Sequence, residues 1–246
     1  MNRILALYIF LLLCGTVSAQ QIVEWSDLQT ITDNSRRTVY YKKGRKQPLR
    51  GKYRIIRGLD EECVKFSDCM INGDYRRYRD GVLRESGIYA KGKRNSTFTE
   101  YYQDGVTPRK ETPMQQGKID GTVKTYFRNG KIEAEKEYKQ SVESGRERRF
   151  DSKTGEQIFE SHYIDGKKDG EEWEIFEDAS TLRSRIIRHY RNGKLDGSYR
   201  VESTRDGKPY ITIEGQYTDG EKSGQWIEHN YDNNTQTCTW HGEGGA

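Results

Sequence analysis

A motif containing two glycines recurs through most of this chain and constrains its fold more than any other feature. The clearest copy spans residues 214–226, where an aromatic residue is followed by an Asp-Gly pair and then by a second glycine, four positions after the first. Asp-Gly and Asn-Gly pairs favour tight hairpin turns, because glycine adopts positive φ angles at no steric cost. The motif therefore predicts strand, turn, strand, turn, which is one β-hairpin per copy.

The copies align in fixed columns, with steps of 23 to 27 residues that are typical of stacked supersecondary units. The first-glycine column comprises Cys69, Gly92, Gly117, Ser141, Gly166, Gly193 and Gly220. The second-glycine column, four residues later, comprises Gly73, Ser96, Gly121, Gly145, Gly170, Gly197 and Gly224. The aromatic column, three residues before the first glycine, comprises Phe66, Tyr89, Met114, Tyr138, Tyr163, Tyr190 and Tyr217. We expect irregular hairpins where Cys69, Ser141 or Ser96 replaces a glycine.

The composition argues against an ordinary deep core. Only 32% of the residues are hydrophobic and 33% are charged, whereas apolar residues make up about 45–50% of typical globular domains. The 17 tyrosines, 7 phenylalanines and 4 tryptophans supply rings that can pair across strands, each good pair contributing about 0.2–1 kcal/mol. We therefore predict an all-β chain, an elongated antiparallel sheet of about seven tandem hairpins held together by hairpin stacking and tyrosine columns.

Residues 215–226, Gly-Gln-Tyr-Thr-Asp-Gly-Glu-Lys-Ser-Gly-Gln-Trp, resemble the MORN-type repeat in its bacterial YwqK-like form. Residues 163–173 and 190–197 match the same pattern, and the resemblance covers roughly residues 64–235. It implies a run of antiparallel hairpins in one elongated sheet. Proteins of this family are often labelled antitoxin-like, and MORN relatives are known as membrane-associated or scaffolding modules.

Residues 1–19 have the features of a secretory signal peptide, with cleavage expected after Ala19. Arg3 supplies a positive start, and the apolar run at residues 4–13 is too short to span a bilayer. An uncleaved anchor and a lipoprotein route through Cys14 stay open as alternatives. We therefore expect an exported protein that is periplasmic, bound to the cell envelope or secreted. The other expected parts are a short irregular N-terminal cap with a degenerate half-repeat at 20–63, the repeat array at 64–241 and a disordered tail at 242–246.

Three cysteines would remain after cleavage. Cys63 and Cys69 are six residues apart, and in an exported chain they could close a small disulfide loop. The alternative is two separate thiols, with Cys69 simply occupying a glycine position. Cys238 is interpreted as a strand residue, since no base is recognisably paired with it.

His162 and His189 occupy the same position in neighbouring copies, which raises the question of a shared metal. Equivalent positions in successive hairpins are two strands apart, roughly 9–10 Å. Two ligands of one zinc ion lie only about 2.0–2.1 Å from the metal, so the pair is too widely spaced. We expect no metal site and no cofactor.

No motif indicates catalysis: a nucleophile elbow, a phosphate-binding loop and a dinucleotide-binding loop are all missing from the sequence. We therefore expect no enzymatic activity and no catalytic residues. Residues 75–79 interleave tyrosine and arginine, as in some nucleic-acid platforms. The formal net charge is only +4, however, and both signs are interspersed along the chain, so we expect no nucleic acid partner.

We expect a non-enzymatic, exported scaffold for protein–protein or cell-envelope interactions. The partner would be a protein or an envelope component, and the oligomeric state is open. Neutralisation of a partner toxin, as in antitoxins, and binding to a membrane surface are the alternatives. The candidate interaction surface comprises Tyr89, Tyr138, Tyr163, Trp173, Tyr190, Tyr217 and Trp226. A competing interpretation, which we favour, is that these rings form a packing ladder that holds the sheet together.

Overall fold

The structure, a computed structural model, describes residues 20–34, 36–45, 48–177, 183–205, 208–230 and 233–242. The predicted signal peptide, its cleavage after Ala19 and residues 243–246 of the predicted tail lie outside the described residues. The chain divides into two compact units, of which the first ends at Thr107 and the second begins at Pro108. The all-β class is confirmed, because the described residues contain no helix apart from one three-residue 3-10 helix.

The described residues of the first unit form ten strands, and the 3-10 helix Trp25–Asp27 follows the first of them. The strands are β1 Gln21–Glu24, β2 Leu28–Thr32, β3 Thr38–Lys42, β4 Gly51–Arg57, β5 Asp60–Ser67, β6 Met70–Ile71, β7 Gly73–Arg79, β8 Val82–Ala90, β9 Lys93–Arg94 and β10 Thr97–Tyr101. Strands β4, β5, β7, β8 and β10 pair antiparallel in that order. Strands β2 and β3 form a separate two-stranded sheet.

The first unit differs from the predicted antiparallel sheet at its start. Strand β1 runs parallel to β4, with Gln21 opposite Tyr53. A parallel neighbour requires a long connection, and here the 3-10 helix and the β2–β3 pair provide it. The described residues between 20 and 63 thus lie mainly in strands, and the expected N-terminal cap with its degenerate half-repeat stays a prediction. The buried Tyr53, Ile55 and Val64 explain why this segment folds as sheet.

The second unit contains thirteen strands among its described residues. They are β11 Pro108–Gln115, β12 Lys118–Ile119, β13 Gly121–Tyr126, β14 Ile132–Lys139, β15 Val142–Phe150, β16 Gln157–Ile164, β17 Lys167–Lys168, β18 Gly170–Glu177, β19 Arg183–Arg191, β20 Lys194–Arg205, β21 Lys208–Thr218, β22 Glu221–Asn230 and β23 Thr235–His241. Each long strand pairs antiparallel with the next one along the chain, from β11 with β13 to β22 with β23.

The same two-residue turn is present at all seven positions of the first-glycine column. Both of its residues have positive φ angles, as in type I′ hairpin turns. Cys69, at φ 63°, and Ser141, at φ 72°, adopt this conformation too, so the irregularity expected at these two positions is absent. The Ser141 hydroxyl also accepts the Ile119 N–H at 2.9 Å, which ties this turn to the preceding one.

Backbone hydrogen bonds join five of these turns to the turn before them. In each case the donor is the N–H of a residue in the first-glycine column. The acceptor is a carbonyl oxygen in the preceding copy, two residues after that copy's own first-column residue. The bonds are Gly92 to Ile71, Ser141 to Ile119, Gly166 to Glu143, Gly193 to Lys168 and Gly220 to Leu195, with donor–acceptor distances of 2.7–2.9 Å. The turns therefore fix the register of neighbouring hairpins as well as closing their own.

The second glycine of the motif is not part of the turn. Gly170, at φ 103°, begins β18 just after the short strand β17 and lies directly opposite Tyr190 of β19. Equivalent pairs are Gly73 with Tyr89, Gly121 with Tyr138, Gly145 with Tyr163 and Gly197 with Tyr217. Each tyrosine of the aromatic column thus faces the second glycine of the preceding copy. Ser96 breaks this pattern, because its φ is not positive.

A further glycine lies beneath an aromatic ring at each end of the repeated region. Gly215 of β21 packs under Trp226, and a Cβ atom there would come within 2.3 Å of the indole. The indole is flanked by Tyr199 and Tyr217, at centroid distances of 5.3 and 5.2 Å, and Lys222 Nζ lies 4.0 Å from its centroid. We call these five residues the Trp226 cluster.

The first unit contains the same arrangement at equivalent positions of the motif. Gly87 packs under Phe98, with 2.7 Å between a Cβ built on the glycine and the ring. Tyr75 and Tyr89 flank the ring at 6.1 and 5.4 Å, and the Arg94 guanidinium lies 4.3 Å from its centroid. We call these five residues the Phe98 cluster. A glycine is needed in both clusters because the ring occupies the space of a side chain.

We expect Gly215→Ala to lower the free energy of unfolding by about 1–3 kcal/mol, because the added methyl group overlaps the indole. The same change should cost much less in a Trp226→Leu background, where the ring is gone. Urea denaturation of the two single variants and the double variant measures this coupling. An equal cost of Gly215→Ala in both backgrounds would show that steric contact with the ring is not the cause.

Candidate functional site

In the middle of the second unit, the motif positions that hold rings and a glycine in the two clusters are occupied by polar residues. Two buried glutamates replace the rings, and a buried serine replaces the glycine beneath them. Lysine and arginine side chains surround these three residues. We call this group the polar centre, which comprises Lys136, Glu147, Ser161, Lys168, Glu172 and Arg188. Sequence reasoning missed this group. A comparison of the residues two positions after each second glycine would have shown that glutamate replaces an aromatic residue there.

Glu147 of β15 is held by three side chains. Lys136 Nζ lies 3.1 Å from its Oε2, Arg149 Nη2 lies 2.9 Å from its Oε1, and the Tyr163 hydroxyl donates to Oε2 at 3.1 Å. Burial alone would raise the pKa of this carboxyl, but the hydrogen bonds from Lys136 and Arg149 outweigh it and lower the pKa. Burial and the Glu147 charge raise the pKa of Tyr163 to about 12. Glu147 is therefore ionised at neutral pH.

Glu172 of β18 is more deeply buried, with 1% of its side chain exposed. It pairs with Lys168, while Arg188 Nη2 lies 3.1 Å from its Oε1 and the Tyr190 hydroxyl donates to that oxygen at 3.4 Å. Arg188 also contacts Glu174 Oε2 at 3.1 Å. A buried carboxylate is tolerated only when its charge is compensated in this way.

Ser161 of β16 pairs directly with Glu147 of β15 and is 1% exposed. Its hydroxyl oxygen and Arg188 Nε have no hydrogen-bond partner among the described residues. The two glutamates lie on strands separated by β16, and each is neutralised by its own cations. The polar centre is therefore a group of paired charges buried within the sheet.

Most residues of the predicted interaction surface take part in packing. Trp226 is 4% exposed, so it has little surface left for a partner. Tyr163 and Tyr190 are half-buried and donate to the glutamates of the polar centre. Tyr89 and Tyr217 belong to the Phe98 and Trp226 clusters, and Tyr138, also half-buried, lies opposite Gly121. Each of these positions fits the packing-ladder interpretation, and an interface role for the rings stays a prediction.

Trp173 is different because it lies on the other face of the sheet from Glu172. The Arg185 guanidinium is 4.4 Å from its ring centroid, and the buried Ile187 is its cross-strand neighbour. His162 and His189 lie on this same face, 42% and 37% exposed. Glu171 lies between them, with its carbonyl bonded to His162 and its carboxylate 3.7 Å from His189. We call this surface the Trp173 face.

The two histidines do not come together at a metal site. Among the described residues, no group of three or more histidine, cysteine or acidic side chains is placed to hold a metal ion. His189 Nδ1 is 3.0 Å from the Ser198 hydroxyl, so it has a local partner of its own. The absence of metals and cofactors stays an expectation for the whole chain.

Cys63 and Cys69 are not joined by a disulfide in the part of the chain that the structure describes. Cys63 lies within β5 opposite Arg54 and Arg76, whereas Cys69 is a buried turn residue whose carbonyl accepts the Tyr40 N–H at 2.8 Å. The disulfide between them stays a prediction. Cys238 is exposed and lies in β23, as the strand interpretation expected.

A small cavity of about 190 Å³ lies in the first unit and was not anticipated. Arg57 stacks on Trp25 at 4.0 Å, burial raises the pKa of Glu62, and Asp60 Oδ1 has no hydrogen-bond partner among the described residues. Two arginines and two acidic residues line the cavity in equal number. The lining residues are Trp25, Ile55, Arg57, Asp60, Glu62 and Arg77. The cavity is smaller than typical ligand pockets of about 300–1,000 Å³.

We expect Glu147→Gln to lower the free energy of unfolding by about 1–3 kcal/mol at pH 7, since it removes a charged acceptor from Lys136 and Arg149. Because folding lowers the pKa of Glu147, its stabilising contribution is present above the unfolded-state pKa of about 4.5 and is lost as the pH falls through the lower folded value. Urea denaturation of both proteins from pH 7 downward measures this. Glu133→Gln, at an exposed position of β14, is the control and should change stability by less than about 0.5 kcal/mol. If the difference in unfolding free energy between wild type and Glu147→Gln did not change with pH, the stabilising role of ionised Glu147 would be contradicted.

The comparisons with known proteins identify no relative. No family model and no curated protein matches the chain. Among the described residues, no helix has the length and apolar character needed to cross a membrane.

Proposed function

We propose that this protein is a non-enzymatic, exported scaffold that binds a protein or a component of the cell envelope. The observation that carries the proposal is the second unit, whose described strands pair one after another in a single antiparallel series. Half-exposed tyrosines line one face of this series, and half-exposed histidines, charged side chains and Trp173 line the other. Long accessible sheet faces of this kind are typical of repeat proteins that bind partners.

We propose further that the hairpins are about seven repeats of the MORN type in its YwqK-like form. Support comes from the shared turn at the seven first-glycine positions and from the recurring pairing of a second glycine with a tyrosine. The regular step of 23 to 27 residues adds to this support. The family implies scaffolding or antitoxin-like roles, and either role requires a protein partner.

The arrangement of charge favours binding over catalysis. The two most buried carboxylates of the second unit, Glu147 and Glu172, are each compensated by two cations. Such compensated pairs are the arrangement expected of structural ion pairs buried in a sheet. We therefore assign the buried ion pairs a structural role and place partner binding on the exposed faces of the sheet.

The Trp173 face is the best candidate surface for the partner. Trp173 offers an amphipathic ring beside Arg185, and these two residue types are enriched at binding hot spots. Exposed histidine and glutamate surround them, so the face is polar at its rim and aromatic at its middle.

We expect the immobilised protein to retain a specific protein from a solubilised envelope fraction of its native host. Trp173→Ala should reduce retention at least about tenfold, as expected for a hot-spot tryptophan. Phe176→Ala is the matched control, because Phe176 is 38% exposed on the opposite face of the same strand. Quantitative mass spectrometry of the retained proteins measures the difference.

Equal loss with both variants, with unchanged thermal midpoints, would rule out a binding site specific to the Trp173 face. Retention of no protein, together with salt-sensitive binding to anionic vesicles, would replace the scaffold with a membrane-surface module. If the retained protein is toxic when expressed alone and harmless together with this chain, the antitoxin alternative would be favoured.

A further inference from the structure

Among the described residues, strand β23 is paired along one edge and open along the other. It pairs with β22 over seven residues, from Gly224 opposite His241 to Asn230 opposite Thr235. Among the described strands of the second unit, none pairs with its other edge. Six of its seven residues are exposed, including Trp240 at 62%.

The side chains of β23 do not protect this edge. Its sequence, Thr-Gln-Thr-Cys-Thr-Trp-His, contains no lysine, arginine, aspartate, glutamate or proline. Natural proteins usually block open edges with such residues, because unpaired backbone N–H and C=O groups are a template for another strand. The neighbouring β22 carries charged residues along its length, so the lack of charge is particular to the edge strand.

We propose that β23 pairs antiparallel with β23 of a second copy of this chain, in a two-fold symmetric register centred on Cys238. Only this register pairs all seven residues of each strand. It places Thr237 opposite Thr239, Gln236 opposite Trp240 and Thr235 opposite His241 of the second copy.

The second copy fits this edge because the edge is complementary to itself. Neither strand carries a carboxylate, a lysine or an arginine, so pairing brings no like charges together. A two-fold axis uses the open edge of both copies, so assembly stops at a dimer. A pair of seven-residue strands buries less than the roughly 1,200–2,000 Å² of a standard interface, so we expect micromolar or weaker dimerisation.

The proposed register makes a prediction about Cys238. Directly opposed residues in antiparallel strands have Cα atoms about 4.5–5.5 Å apart. Disulfides span Cα distances of about 4.4–6.8 Å. The two Cys238 thiols of the dimer would therefore lie within bonding distance, and Cys238 is exposed to an oxidant.

The test treats the purified protein with oxidised glutathione. In the expected reaction two Cys238 thiols lose two protons and two electrons and form one S–S bond, while one oxidised glutathione is reduced to two glutathione thiols. Non-reducing electrophoresis should show a dimer band that dithiothreitol removes. Cys238→Ser should abolish this band, which controls for crosslinks through the other cysteines.

The double variant Cys238→Ser with Gln236→Cys is the matched control for random collision. Gln236 is exposed on the same side of the strand, but in the proposed register the two copies of residue 236 are four residues apart along the strand, about 14 Å. We expect this variant to crosslink at least about tenfold more slowly than wild type. Equal crosslinking by both proteins, or no dimer band from wild type, would overturn the proposal.

Dimerisation without the disulfide is measured by sedimentation equilibrium in dithiothreitol. Thr237→Lys with Thr239→Lys sets like charges opposite each other across the two-fold axis, whereas Thr237→Lys with Thr239→Glu sets opposite charges there. Both variants share the change at Thr237, which lies opposite Glu228 of its own chain. We expect the first to weaken dimerisation about tenfold relative to the second. A monomer at all concentrations, growth beyond dimers or equal behaviour of two folded variants would contradict the register.

Discussion

The two-residue turn with both backbones in the left-handed region is the constraint on which the rest of this sheet depends. It fixes the length of each hairpin connection, and its twist matches that of the flanking strands. Five of the turns also donate one backbone hydrogen bond to the preceding turn, such as Gly193 to Lys168 at 2.7 Å. A slip of one residue would move every side chain to the opposite face, so this bond keeps rings and carboxylates on their proper side.

Once the register is fixed, the same few backbone positions can accept different chemistry. In the Phe98 and Trp226 clusters they hold rings, a glycine and one cation. In the polar centre they hold Glu147, Ser161 and Glu172 with the cations that neutralise them. Sheets with few apolar residues are stabilised by such local groups, because they cannot exclude water from one deep core.

The turn positions and the all-β class were predictable, because Asp-Gly and Asn-Gly pairs carry their conformation in the local sequence. The parallel pairing of β1 with β4 was not, since it depends on a contact between distant segments. The polar centre was missed for another reason. In the sequence alone, Glu147 and Glu172 resemble solvent-exposed strand residues. Their burial becomes predictable only when they are aligned with the buried Trp226, which is also two positions after a second glycine. The tyrosine column was recognised, but its cross-strand partners, the second glycines, were visible only after the strand pairing was known.

The backbone hydrogen bonds between neighbouring turns have an evolutionary consequence. Because these contacts link only adjacent copies, the array can gain or lose a whole copy by in-frame duplication or deletion while remaking a single junction. New chemistry can then arise in the added copy, as the exchange of rings for carboxylates between equivalent positions illustrates. Length and surface character can thus vary separately among descendants of such a gene.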